Sequence, residues 1–116
     1  MTTLLVMYVV FGLLLAGLSV PLLLDKIPPN GWYGFRVPST LYNEQLWYKV
    51  NRYMARWLVV AGIITVAGAV ALFFVPGLSV DTYAWLCLLI FAAPFAVGVV
   101  LSFRYLRRLQ KSGVQE

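Results

Sequence analysis

Histidine is absent from this 116-residue sequence, and cysteine occurs once, at Cys87 inside an apolar run. No disulfide and no imidazole or multi-thiolate metal site can be assembled within one copy of such a chain, and no serine or threonine can be activated by a histidine. Carboxylates are nearly as scarce: Asp25, Glu44, Asp81 and Glu116 are the full set, and none lies within a long apolar run. A proton-coupled exporter requires an ionisable group at membrane depth, and acid–base catalysis requires paired groups. The sequence supplies neither, so no enzyme, no metal and no cofactor are expected. Cys87 is read as a small apolar packing residue. Ser19, Thr65 and Ser102 are expected to bond the carbonyl one turn back rather than act as nucleophiles.

What the chain has in abundance is apolar sequence. With 62% hydrophobic and 11% charged residues, it lies outside the balance of a soluble domain, and a bilayer must cover what a small core cannot. A helix needs about 20 apolar residues to cross the hydrocarbon, and three segments meet that length: residues 4–24, 57–75 and 83–103. The first has no basic residue ahead of it and exceeds a signal-peptide core, so a retained span is expected rather than a cleaved leader. The expected fold is all-α, an integral membrane three-helix bundle forming one domain over residues 1–116. Pro94 at the middle of the third span predicts a packing kink. Small residues three or four apart, such as Gly12 with Ala16, Ala61 with Thr65 and Gly98 with Ser102, predict close helix contacts. Packing within the bundle is their simplest use, and so thin a bundle leaves a homo-oligomer open.

The cations set the orientation. Lys26, Arg36, Lys49, Arg52 and Arg56 lie between spans one and two, and Arg104, Arg107, Arg108 and Lys111 follow span three. The connector between spans two and three has none. By the positive-inside rule the N-terminus is outside, and the connector 25–56 and the tail 104–116 are inside. This pattern accounts for the net charge of +5 without nucleic acid. The tail is read as a basic stop followed by a frayed end.

The connector "IPPNGWYGFRVPST", residues 27–40, combines stiffness with turn chemistry. Pro28 and Pro29 fix their own backbones and bias their neighbours towards extended conformations, while Asn30-Gly31 and Gly34 accept positive φ. Trp32, Tyr33 and Phe35 suit the headgroup level. After Pro38, with Ser39 or Thr40 as a cap, residues 40–56 predict a basic amphipathic helix. Tyr42, Leu46, Val50, Tyr53 and Trp57 share one face, and Lys49, Arg52 and Arg56 lie opposite. That helix is expected on the cytoplasmic membrane surface between spans one and two, with Lys49, Arg52 and Arg56 at lipid headgroups. One continuous helix running on into span two is the alternative, and the sequence does not separate them. Stiff backbone is more than lipid anchoring requires, which points to a binding surface.

The stretch 27–52 resembles the signature of the SdpI-type immunity protein family of bacterial multi-span proteins. The matching positions are Pro28, Pro29, Asn30, Gly34, Arg36, Pro38, Thr40, Asn43 and Trp47. Val37 stands where a threonine is usual, and Asn51 where a histidine often occurs. The resemblance is to a short, three-span form. It implies a non-enzymatic protein of the bacterial cytoplasmic membrane that protects its cell against a secreted, membrane-active peptide toxin and recruits a cytoplasmic repressor, with those nine residues as the partner-binding set. An external toxin would meet only residues 1–3, residues 76–82 and the outer ends of the spans. A small transporter, or an accessory subunit relying on a partner, is the alternative.

Overall fold

The computed structural model describes residues 1–30, Gly34, Arg36 and residues 38–111. Helix α1 spans Thr2–Leu23, α2 Pro38–Leu41, α3 Glu44–Phe73 and α4 Val80–Lys111, with no strand among the described residues. Helices α1, α3 and α4 are each long and apolar enough to cross a membrane, so the chain is an all-helical, multi-pass membrane protein.

The helix ends follow from local chemistry. Helix α1 closes when Asp25 adopts φ 58°: its N–H donates to Leu22 O (3.3 Å) and the Lys26 N–H donates to Pro21 O (2.9 Å). This is a Schellman closure with aspartate in the left-handed position usually given to glycine. Asn43 begins α3, its Oδ1 accepting from the Leu46 N–H at 3.2 Å, and Glu44 follows at the positive end of the helix dipole. Gly77, at φ 78°, turns the chain towards α4. There Ser79 Oγ accepts from the Thr82 N–H at 3.1 Å and satisfies one of the unpaired first-turn donors.

Helix α3 is the middle element and packs on both α1 and α4. Its crossing with α1 is a backbone contact: a Cβ on Gly62 would stand 2.5 Å from Gly12 O, and one on Gly12 would stand 2.7 Å from Gly62 O. Gly12 therefore has the small-residue role expected of it, and its partner is Gly62. On the other side, Gly98 of α4 lies under Trp57, whose Cβ would be 2.6 Å from an added methyl, and Gly68 faces Ile90. Helices α1 and α4 meet through long side chains. Tyr8 Oη donates to Ala84 O (2.9 Å), and Phe11 and Phe91 contact edge to face at 4.9 Å. Within the bilayer segments Ser19 donates to Leu15 O, Thr65 to Ala61 O and Ser102 to Gly98 O, at 2.6 to 2.7 Å. These are the one-turn-back bonds the sequence predicts.

The separate amphipathic surface helix is a misreading. Residues 44–73 form one helix, so residues 44–56 are the first turns of the second span's own helix, and the cap is Asn43 rather than Ser39 or Thr40. The apolar face is covered by protein instead of lipid: Leu46 and Val50 are buried against Leu106 of α4, with Met54, Tyr105 and Leu109 around them. Tyr42, assigned to that face, is 90% exposed because it precedes α3 and does not share its register. The basic segment from Arg104 to Lys111 continues α4 as helix and supplies the covering residues. Pro21 and Pro94 both lie inside continuous helices.

Candidate functional site

The connector is anchored by one side chain. Trp47, one turn into α3, is fully buried, and its indole Nε1–H donates to Ile27 O at 2.7 Å. This bond ties the second span's helix to the residue before Pro28-Pro29. Asn51, one turn further, is also buried; its Nδ2 donates to Trp47 O at 2.9 Å. Gly34 lies over this pair at φ 111°, a value at which a side chain is strained. A Cβ there would be 2.7 Å from Asn51 Oδ1 and 3.2 Å from the Trp47 ring. The glycine is needed twice, for its backbone angle and for the close approach.

The other expected partner-binding residues divide by exposure. Thr40 and Asn43 are buried, so they hold the connector and the α3 start in place from inside. Asn43 spends its carbonyl oxygen on the cap, and its Nδ2 has no hydrogen-bond partner among the described residues. Asn30 and Pro29 are half-buried, and Asn30 Nδ2 donates to Pro28 O at 2.8 Å in a local turn. Pro28 and Arg36 are exposed. Pro38 opens α2, a first-turn position that suits its missing N–H. The expectations for Gly31, Trp32, Tyr33, Phe35 and Val37, and for the end of the tail at 112–116, fall outside the described residues.

Asn51 is singled out in the sequence only as a departure from the family pattern, and Asp25 is not assigned to the site. Asn51 could have been found from its spacing, since Asn43, Trp47 and Asn51 recur at four-residue intervals and so share one helix side. Asp25 had no such signal. It lies 3.3 Å from Arg52 Nε, an ion pair whose N–H is not aligned for a hydrogen bond. With both side chains about 40% exposed, it contributes at most about 1 kcal/mol.

Lys49, Arg52 and Arg56 gather on one side of α3. With Tyr53 and with Tyr105 of α4 they line an open cleft of about 120 Å³. Tyr53 and Tyr105 stack with ring centroids 4.5 Å apart. Among the described residues no three metal-ligating side chains converge.

No match was found among curated proteins or among solved structures. The family comparison does match, over residues 26–103, a stretch that opens on the connector and takes in the Trp47 anchor and both later spans. With about two thirds of its length so matched, the chain belongs to the SdpI/YfhL protein family.

Proposed function

We propose that this protein is a non-enzymatic immunity protein of the bacterial cytoplasmic membrane, that it protects its cell from a membrane-active peptide toxin, and that its connector engages a cytoplasmic regulator. Membership of the SdpI/YfhL family supports a membrane immunity-type protein. The observation that carries the finer reading is the anchored connector: Trp47 holds Ile27 and underlies Gly34, while Pro28 and Arg36 are exposed beside these anchored residues. A tether that only joined two spans would need no such anchor. In this reading the N-terminus and the Pro76-Gly77 turn face outward, in keeping with the distribution of Lys and Arg. The toxin is met at that end or within the bilayer, and the regulator at the other.

The test is a killing assay with secreted products of the neighbouring genes, comparing cells with and without this protein. Protection is expected with the intact chain and is expected to be lost in Arg36→Ala, with membrane insertion unchanged. Full protection by that variant would remove the connector from the mechanism.

A further inference from the structure

Arg56 is the last charge on α3 before the uncharged run 57–73, and Arg104 is the first charge on α4 after the uncharged run 82–103. The two mark one boundary of the hydrocarbon layer. Lys49, Arg52, Tyr53 and Arg56 are spaced three and four apart and so share one face of α3, and the cleft they form with Tyr105 begins at that boundary and rises away from it. It therefore lies at the depth of lipid headgroups.

Charge in the cleft is poorly compensated. Three cations line it. Asp25 is paired with Arg52, whereas among the described residues Lys49 and Arg56 have no carboxylate within 4 Å. Among the described residues the Arg52 Nε–H, shielded from solvent, lies 3.3 Å from Asp25 Oδ1 without the alignment of a hydrogen bond. Like charges gathered at a partly enclosed site repel. An anion in the cleft would relieve that repulsion. The volume of about 120 Å³ is that of about four liquid waters, enough for a tetrahedral oxyanion but too small for a large headgroup to enter whole. The Tyr53–Tyr105 stack gives it a rigid wall that ties both helices to the site.

We propose that this cleft binds the phosphate of an anionic phospholipid in the leaflet on the connector side, with Lys49, Arg52 and Arg56 as its cationic ligands. Guanidinium and ammonium groups together suit a phosphate diester, the first by paired N–H donors and the second as a point charge. The headgroup layer presents such phosphates to the cleft without a soluble carrier.

The whole protein is purified and reconstituted in nanodiscs of phosphatidylcholine with or without phosphatidylglycerol, and thermal unfolding and lipid retention by native mass spectrometry are read. Phosphatidylglycerol is expected to raise the unfolding temperature and to remain bound. Lys49→Gln/Arg56→Gln is expected to lower retention at least tenfold. Lys49→Arg/Arg56→Lys is expected to keep it, as is Arg107→Gln/Lys111→Gln, which removes the same charge elsewhere on the basic end. Equal loss in the Arg107/Lys111 variant would replace the cleft by general surface attraction and overturn the proposal. So would unchanged retention in Lys49→Gln/Arg56→Gln. In detergent, millimolar inorganic phosphate is expected to give no stabilisation; a shift matching that of the lipid would make the ligand a soluble anion and refute the lipid assignment. Far-ultraviolet circular dichroism confirms that each variant retains its helices. None of these readings involves toxin, so their outcome is separate from that of the killing assay.

Discussion

Replacing Gly34 by alanine tests whether the connector is clamped to α3 as described. Two costs are expected. The first belongs to the backbone: φ 111° is strained for any residue with a side chain, by about 1–3 kcal/mol. The second belongs to the contact. The new methyl would lie 2.7 Å from Asn51 Oδ1, so the amide must rotate and loosen its bond to Trp47 O, at about 1 kcal/mol. Together they make about 2–4 kcal/mol. The spanning helices can stay folded while the connector opens, so the readout must be local. Amide hydrogen exchange over residues 27–43 and exchange of the Trp47 indole proton serve that purpose. A loss of about 2.8 kcal/mol would speed exchange about a hundredfold. In an Asn51→Ala background the contact cost disappears and the backbone cost remains, so Gly34→Ala should cost about 1 kcal/mol less there. An identical effect in both backgrounds would show that Gly34 and Asn51 do not touch. An acceleration below twofold would refute the clamp itself.

Other substitutions probe the bundle. Gly62→Ala places a methyl 2.5 Å from the Gly12 carbonyl, a backbone atom that cannot rotate away, and should cost about 1–3 kcal/mol in detergent unfolding. Gly17→Ala, with nothing within 4 Å of its Cβ, should instead be neutral or stabilise by up to about 1 kcal/mol; the same sign for both would contradict the α1–α3 contact. Asp25→Gly relieves the left-handed strain, about 1 kcal/mol, and gives up an exposed ion pair of smaller worth. The unfolding temperature should therefore hold or rise slightly, and a fall of many degrees would mean that the pair with Arg52 is far stronger than its exposure allows.

The spans were legible because a run such as 57–73, without one charge, has few stable places outside oil. The same kind of local reasoning placed the hydroxyls of Ser19, Thr65 and Ser102 on their own helices. What covers an amphipathic face is a different question, since periodicity reports that Leu46 and Val50 are covered without saying by what. The answer came from Tyr105, Leu106 and Leu109, residues in a segment whose arginines draw attention to membrane orientation instead. The start of α3 was missed for a related reason. Ser39, Thr40 and Asn43 are all good capping residues, and the choice of Asn43 depends on where α2 stops. The nine positions are visible as a set in the sequence, but which of them are buried is not, because Trp47 and Arg36 differ in exposure only once the chain has folded.

The unbroken passage of α3 through Arg56 has a consequence for reach. From Arg56 back to Glu44 is 12 residues, or about 18 Å of rise; with the hydrocarbon boundary at Arg56, as in the lipid proposal, the helix stands above it like a mooring post with Ile27 made fast to it at Trp47. At physiological ionic strength a surface potential decays over about 8 Å. A soluble visitor arriving near the top of the post is beyond most of the attraction of acidic lipids, while the foot remains within it. Changes in lipid composition would then tune the foot and leave the top unaffected.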